Sequence, residues 1–498
     1  MSAVDFSYMT AVELARSLTA REVSAVELAD AAIARIERLD ATINAVCVRD
    51  FDRAREAAHE ADATRARGEI RPLLGIPMLI KESFNIEGLP TTWGIPACKD
   101  YIAAENAVVV ARARAAGAVV LGKTNVPLGL GDVQTYNDIY GTTNNPWNPA
   151  RTPGGSSGGS AAALAAGYVP LSVGSDIAGS LRVPAHFCGV YAHKPTYGVI
   201  PARGHTPPRV RPIPFERDLS AVGPMARSAA DLSLLFGLLA GPDEMTLGQA
   251  YRLALPSARH GRIGSYRVLV LDDHPLLPTA STIRSAIDSV ARLLEGAGAQ
   301  VRRESPYLPD QADAARLFVR LLLSTVAATF PPEIYETFRE RAAGLDAGDR
   351  GLAAERTRGA VLSHRDWLAA DIARAQLRQQ WRALFAEFDI VLCPVMPTTA
   401  FPHDHSPDQW RRKIRIDGVE HDYADQLVWS GLATAPGLPA TVVPVGHDDE
   451  GLPIGVQLIG PMYGDLTTLR FAELLERELG GFVPPKIFDG EDRAIPRS

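Results

Sequence analysis

The first stretch of the chain has the spacing of amphipathic helices. Thr10 with Glu13, and Ser24 with Glu27, form two Ser/Thr-x-x-Glu pairs, which are the signature of a capping box at a helix start. Apolar residues recur at intervals of three and four after the second pair, as on the buried face of a helix. We therefore predict that residues 1–65 are N-terminal helices.

Short apolar runs follow, and they predict strands. Residues 75–80 (GIPMLI) and 118–122 (AVVLG) are two such runs, with a helical stretch between them at about 106–116. Residues 168–174 (YVPLSVG) have the pattern of a buried strand between two turns rich in Gly and Ser. This alternation predicts an α/β fold, in which helices cover the faces of a sheet.

The second half of the chain changes pattern twice. Residues 240–388 are mostly helical in pattern, interrupted by YRVLVLDD at 266–273, and strand patterns return between 388 and 480. No internal repeat or low-complexity linker divides the chain. We therefore interpret residues 1–498 as a single domain, in which residues 70–225 form the core, 240–388 a helical elaboration and 388–480 a return to the sheet.

Composition narrows the class of protein. The 498 residues are 46% hydrophobic and 22% charged, which is ordinary for a globular protein and excludes disordered, collagen-like and disulfide-framework chains. The net charge is −7 and basic runs are short, so nucleic acid is a poor partner. The four cysteines form no CxxC pair, and no apolar run reaches about 18 residues. Residues 1–10 (MSAVDFSYMT) lack the basic and apolar regions of a signal peptide, so we expect none. We expect a cytoplasmic protein with reduced thiols and no membrane span.

Lysine is rare in this chain, which draws attention to each one. Only six of the 51 Lys and Arg residues are lysines. Arg does not give up its proton in a protein, whereas a desolvated Lys does. Lys81 ends the apolar run at 75–80 and is therefore a candidate for a basic amine, the alternative being a solvated strand end.

Two turns rich in Gly and Ser are candidates for chemistry, at residues 154–160 (GGSSGGS) and 174–182 (GSDIAGSLR). No Lys follows the first glycines, so a phosphate loop is disfavoured. The first turn does match Gly-x-Ser-x-Gly around Ser156, which is the nucleophile elbow of α/β-hydrolase-type esterases. The preceding NPWNPARTP, however, cannot form the central strand that an elbow follows, because Pro interrupts the ladder.

Together these segments closely resemble the amidase signature family of Ser–Ser–Lys hydrolases. The segments that carry the resemblance are GIPMLIKESFNIEGLPTTWG, GKTNVP, NPWNPARTPGGSSGGSAAALAAG, GSDIAGSLRVPAHFCGVYAHKPT, GPMARSAADL, PGLPATVVPVG and GLPIGVQLIG. They span most of residues 70–240 and 388–465, and they imply the family's large, mixed, twisted sheet covered by helices on both faces. The KESF and TNVP segments look more like the fatty acid amide hydrolase side of the family than like its transamidation subunits.

Carried over position by position, the resemblance implies that Ser180 is the nucleophile, Ser156 a bridging serine and Lys81 the general base. A neutral Lys in a dry pocket can remove the proton of a serine through an intervening hydroxyl. In the family the peptide leading into the bridging serine is cis, which here is the Gly155–Ser156 bond. The implied activity is hydrolysis of a carboxylic amide through an acyl-enzyme, with ester or carbamate cleavage as side activities.

The resemblance also implies an oxyanion hole and a supporting layer. The oxyanion hole would consist of the backbone N–H groups of Ile177, Ala178, Gly179 and Ser180. Ser157 would be a supporting hydroxyl, and Asp176 with Arg182 would orient the nucleophile turn, unless they are an ordinary structural ion pair. The family usually has Gly at the position of Ala178, so a methyl group there would narrow the acyl site.

The remaining candidates for chemistry are weaker. His403 and His405 flank Asp404, but imidazoles on opposite sides of an extended segment seldom share a metal ion. Cys188 is expected to pack in the core rather than to take part in catalysis. The resemblance implies a small-molecule amide as the substrate. It implies no cofactor, no metal and no nucleic acid partner, and it is compatible with a homodimer.

Three other functions stay open at this point. One is an amide-transfer subunit of a glutamine-dependent amidotransferase that works with RNA, although the acidic chain argues against it. Another is the esterase with Ser156 as the elbow nucleophile. The third is an inactive binding protein, which would be expected to have lost one of Lys81, Ser156 and Ser180; all three are present.

Overall fold

Fifteen strands are present in residues 6–486, which are the residues that the computed structural model describes. They are β1 Val46–Arg49, β2 Pro77–Lys81, β3 Val119–Thr124, β4 Tyr136–Asn137, β5 Gly141–Thr142, β6 Leu171–Asp176, β7 Tyr191–Lys194, β8 Ala221–Ala226, β9 Arg267–Val270, β10 Gln300–Arg302, β11 Ile390–Pro394, β12 Lys413–Ile416, β13 Val419–Asp422, β14 Ala440–His447 and β15 Pro453–Ile459.

Fourteen α-helices accompany them in the same part of the chain. They are α1 Ala11–Ala20, α2 Ala25–Ile43, α3 Phe51–Ala66, α4 Val108–Ala115, α5 Gly158–Ala165, α6 Arg182–Cys188, α7 Ala229–Leu239, α8 Ser281–Gly296, α9 Gln311–Ala327, α10 Pro332–Ala343, α11 Leu352–Ala360, α12 His364–Glu387, α13 Val428–Thr434 and α14 Asp465–Leu479.

Eleven of the strands form one mixed sheet, in the order β1-β3-β2-β6-β8-β7-β14-β15-β11-β9-β10. The neighbours β3, β2 and β6 are parallel, as are β11, β9 and β10, whereas β8 is antiparallel to both β6 and β7. Helices α5, α6, α7 and α14 pack on the central strands. The α/β fold class predicted from the sequence is confirmed.

The central strands are buried along their whole length because both faces are covered. Every residue of β2, β3 and β6 is buried, which is the pattern of parallel strands packed between helices. Lys81 is the last residue of β2, and Asp176 is the last residue of β6. Because β2 and β6 are parallel neighbours, their carboxyl ends meet at the same edge of the sheet, where binding sites of α/β proteins usually lie.

The N-terminal helices are present with both predicted capping boxes, at Thr10 and at Ser24. The structure also contains one element in this region that the helical pattern did not predict. Strand β1 lies within the first 65 residues and pairs antiparallel with β3 at one end of the sheet. Its four residues are too few to display a period of their own between two helices.

The mostly helical segment at 240–388 also contributes to the sheet. Its strand β9 was expected from YRVLVLDD, but the three-residue β10, which pairs parallel with β9 at the far edge, was not. Helices α9 to α13 pack against one another beside the sheet. The interpretation of the whole chain as one domain, with these internal boundaries, stays a prediction.

Within residues 6–486, no helix is both long enough and apolar enough to cross a membrane.

Candidate active site

Lys81 lies buried at the carboxyl end of β2 and faces two hydroxyl groups. Its Nζ donates to Ser156 Oγ at 2.7 Å and to Ser175 Oγ at 3.0 Å. Burial lowers the pKa of this amine from 10.5 to about 7, and the negative charge of Asp176 opposes the shift. The alternative of a solvated strand end is therefore excluded, because the side chain is fully buried.

Ser156 lies in the turn before α5 and follows a cis Gly155–Ser156 peptide, as the resemblance implies. Gly155 has no space for a side chain, since a Cβ would lie 2.5 Å from Asp132 O and 2.7 Å from Gln134 O. In the described chain the nearest preceding strand is β5, which ends at Thr142. Ser156 therefore lacks the strand-to-helix turn that an esterase elbow requires.

Ser180 lies in the turn between β6 and α6 and is 7% exposed. The Ser157 N–H donates to the Ser180 carbonyl at 3.1 Å, which joins the two turns rich in Gly and Ser. No hydrogen bond links the hydroxyls of Ser156 and Ser180 within residues 6–486. Such bonds are often loose in ligand-free sites and tighten when substrate binds.

The turn that carries Ser180 needs a glycine. Gly179 has a φ of +101°, and a Cβ there would lie 2.3 Å from Ser430 Oγ in α13. The Gly179 N–H donates to Asp176 Oδ1 at 2.8 Å, so its prediction as a free oxyanion donor is wrong. The N–H groups of Ile177, Ala178 and Ser180 have no acceptor in the described part of the chain.

Asp176 and Arg182 hold this turn in place. They form a fully buried ion pair at 2.9 Å, and Asp176 also accepts the Leu181 N–H at 3.1 Å. Although burial opposes it, the charge and hydrogen bonds of Arg182 lower the pKa of Asp176 to about 2. Arg182 further donates to Thr434 Oγ1 at 2.8 Å and to Gln457 Oε1 at 3.0 Å. The pair is therefore both a structural ion pair and a support of the Ser180 turn.

Two serines near the site were not predicted from the sequence. Ser175 accepts the second hydrogen bond of Lys81, and its carbonyl accepts one from Ser157 Oγ at 3.3 Å. A polar residue at the end of a buried strand, in GSD, was the only available signal for it. Ser430 packs against Gly179 from another part of the chain, and no local pattern could have indicated that contact.

The weaker candidates lie elsewhere or have another role. The rings of His403 and His405 are 5.6 Å apart, and His405 stacks on Tyr136 at 3.9 Å. No cluster of three or more His, Cys, Asp and Glu residues that could hold a metal occurs among residues 6–486. Cys188 is buried, which raises the pKa of its thiol well above the usual value, so it is not a reactive thiolate.

The assembled site contains three chemical elements at one edge of the sheet. There is a buried amine with a pKa of about 7 beside two hydroxyls, a serine on a tight turn that is 7% exposed, and backbone N–H groups that have no acceptor within residues 6–486. Such a set can activate a hydroxyl and stabilise a developing oxyanion.

Known proteins share this architecture over nearly their full length. The Amidase family model matches residues 27–469. One subunit of the glutamyl-tRNA(Gln) amidotransferase of Roseiflexus sp. (strain RS-1) is 34% identical over 486 residues, covering 94% of this chain and 96% of that protein. AtzE, which is a subunit of the 1-carboxybiuret hydrolase of Pseudomonas sp. (strain ADP), is 34% identical over 479 residues, covering 94% and 98%.

A solved structure agrees with the sequence relatives. A bacterial aryl acylamidase of the amidase signature enzymes has a TM-score of 0.80 and 25% identity, and the match covers 99% of this chain and 100% of that one. Since a transamidation subunit is 34% identical, the similarities do not support placing the chain on the fatty acid amide hydrolase side. The family match and the coverage together show that the chain belongs to the amidase signature family.

Proposed function

We propose that this protein is a cofactor-free amide hydrolase, in which Ser180 is the nucleophile, Ser156 relays a proton and Lys81 is the general base. The observation that carries the proposal is the 2.7 Å hydrogen bond between Lys81 Nζ and Ser156 Oγ in a buried pocket. An amine with a pKa of about 7 is partly neutral at physiological pH and can accept a proton.

The reaction would proceed in two halves. Neutral Lys81 accepts the proton of Ser156 as Ser156 accepts that of Ser180, and Ser180 Oγ attacks the amide carbonyl carbon. The N–H groups of Ile177 and Ala178 would stabilise the resulting oxyanion. The proton returns through Ser156 to the leaving amine or ammonia as the C–N bond breaks. Water then attacks the acyl-enzyme with the same proton relay, which releases the acid and restores Ser180.

Neighbouring groups would keep these reactants in place. Ser175 gives Lys81 a second hydrogen-bond acceptor, which fixes the direction of the amine. The Asp176–Arg182 pair holds the Ser180 turn, and Ser157 fixes the two turns relative to each other. Positioning of this kind reduces the entropy that must be lost on reaching the transition state. Esters and carbamates would be cleaved by the same steps.

The relatives favour a second candidate, in which the chain works as one component of a larger assembly. Two relatives at 34% identity are named as subunits, one of a Glu-tRNA(Gln) amidotransferase and one of a 1-carboxybiuret hydrolase. Amide turnover by the purified chain alone, without RNA or a partner, would favour the independent hydrolase. Turnover that appears only with a partner chain would favour the larger assembly.

The identity of the nucleophile can be tested by covalent labelling. A fluorophosphonate should label Ser180, and Ser180→Ala should abolish both labelling and turnover of a panel of aryl, alkyl and primary amides. Ser289→Ala, at an exposed position of α8, is the matched control and should change neither. A digest that locates the label on Ser156 would instead contradict the assignment of Ser180 as the nucleophile.

A further inference from the structure

Arg217, a cation near the proposed active site, has no counter-ion within residues 6–486. Arg217 is partly exposed, and its guanidinium donates from Nη2 to the carbonyl of Thr325 at 3.3 Å. No carboxylate in residues 6–486 forms an ion pair with it. Burial lowers the pKa of Arg217, with no contribution from a nearby acid. A partly buried guanidinium without a counter-ion carries a desolvation cost that a carboxylate partner would offset.

The acidic residues next to Arg217 in sequence are already engaged. Asp218 pairs with Arg374 at 2.5 Å, and Glu216 accepts the N–H of Ala202 at 3.3 Å. Arg182 and Arg412 differ from Arg217, because each is paired with a carboxylate, Asp176 and Asp132. Arg217 is therefore available to an anion that comes from outside the chain.

Arg217 lies at the edge of the sheet where the reaction is proposed. Residues 217–220 lead into β8, whose first residue, Ala221, is paired in register with Asp176 at the end of β6. The turn that carries Ser180 leaves the sheet at that same point. His205, which precedes Arg217 on the same segment, lies 3.1 Å from Ser83 Oγ, and Ser83 is two residues after Lys81. Burial is the largest cause that holds the pKa of His205 well below its usual value, and the positive charges of Lys81 and Arg217 add to it.

The backbone at Arg217 is fixed in an unusual conformation. Ser220 N–H donates to Arg217 O at 3.1 Å, and Leu219 within this turn has a φ of +62°. A left-handed conformation is rare for a bulky residue such as Leu and is retained where the surroundings impose it, often beside ligand sites. The backbone of the turn that carries Arg217 is therefore held in one conformation rather than forming a loose loop.

We propose that Arg217 binds a carboxylate of the substrate, so that the enzyme acts on small amides that carry an anionic group. This inference rests on the proposed amide hydrolysis at Ser180 and specifies its substrate class. A guanidinium matches a carboxylate with two parallel hydrogen bonds, and this geometry selects a carboxylate over a neutral group of the same shape. A site built around an unpaired charge also rejects analogues that leave that charge unpaired.

Matched substrates test the proposal. Succinamate and 4-methylpentanamide differ mainly in that a carboxylate replaces an isopropyl group, and N-acetylglycine carries the carboxylate on the leaving amine instead. We expect kcat/KM for one of the two carboxylates to exceed that for 4-methylpentanamide by about 100-fold, as for a well-formed charged hydrogen-bond pair. The preferred carboxylate identifies whether Arg217 contacts the acyl or the amine side.

Substitution of Arg217 then tests the residue itself. In Arg217→Gln the ratio of kcat/KM between the preferred carboxylate and 4-methylpentanamide should fall about 100-fold, mainly through KM, and Arg217→Lys should recover part of it. Arg209→Gln is the matched control on the same segment, because Arg209 is exposed to solvent, and the ratio should not change.

The outcomes separate this inference from the proposed function. Suppose that Ser180 is labelled and neutral amides are hydrolysed, but no carboxylate is preferred or the kcat/KM ratio is unchanged in Arg217→Gln. The binding of a carboxylate by Arg217 is then excluded, and the proposed amide hydrolysis still stands. An equal loss for both substrates would show a purely structural role. Absence of Ser180 labelling together with absence of any turnover would overturn the hydrolase itself.

Discussion

Lys81 and Lys194 make an instructive pair. Each ends a buried strand of the same sheet, β2 and β7, and for each the pKa is lowered to about 7, with burial as the largest cause. Their surroundings differ. Lys81 donates to the hydroxyls of Ser156 and Ser175, whereas Lys194 donates to the carbonyl of the adjacent Pro195 at 3.0 Å.

The comparison shows that a lowered pKa does not define a general base. A base needs a proton within hydrogen-bond reach, and a carbonyl oxygen has none to give. The second-largest cause of the Lys194 shift is the charge of Arg182, so Lys194 belongs to the electrostatic surroundings of the Asp176–Arg182 pair. Geometry therefore separates two amines that burial alone makes equivalent.

The largest expected difference between the two lysines is in turnover. Lys81→Met and Lys81→Arg should each reduce kcat by about 10³-fold or more, because a positioned base contributes roughly 10² to 10⁴ and its loss also disables the nucleophile. Lys194→Met should stay within about tenfold, since it removes no proton acceptor. Steady-state kinetics on the same amide, with circular dichroism to verify folding, gives the comparison.

Two results would contradict this distinction between Lys81 and Lys194. A folded Lys81→Arg variant with more than about a tenth of the wild-type turnover would exclude the base, since such an effect is only about 1.4 kcal/mol. Losses of similar size in Lys81→Met and Lys194→Met would mean that burial and charge, rather than the contact with Ser156, determine activity.

The pH dependence of turnover should also distinguish Lys81 from Lys194, and the expected effect is smaller. Only neutral Lys81 accepts a proton, so kcat/KM should rise about tenfold per pH unit below its pKa of about 7 and level off above pH ~8. Ser175→Ala removes an acceptor that stabilises the ammonium form, so the inflection should move to lower pH and the plateau should fall about tenfold. An inflection that follows Lys194→Met instead would assign the titration to Lys194.

The smallest expected effect is at Ala178, next to the nucleophile. Ala178→Gly should raise the relative rate on longer acyl chains by about threefold if the methyl group crowds the acyl site, a change worth well under 1 kcal/mol. If the methyl only stiffens the turn, thermal stability should fall instead, because Gly gains more freedom in the unfolded chain. Equal relative rates from acetamide to hexanamide would reject crowding.

The sequence predicted the fold class of this protein but not the short strands at the two edges of the sheet. The apolar run ending in Lys81 and the two turns rich in Gly and Ser gave the fold class and the three residues that meet at one edge of the sheet. These signals are local, because a buried strand and a tight turn restrict the residues that form them. The short strands β1 and β10 were not predicted from the sequence, because three or four residues do not establish a hydrophobic period.

Other features were decided only by the tertiary structure. Gly179 donates its N–H to Asp176 rather than to an oxyanion, and Ser430 approaches it from a helix about 250 residues away along the chain, by packing that no local pattern encodes. The contrast between Lys81 and Lys194, and the missing counter-ion of Arg217, are of the same kind. A sequence specifies which side chains are present, but partners and burial depend on contacts between distant segments, and these contacts set both charge and reactivity.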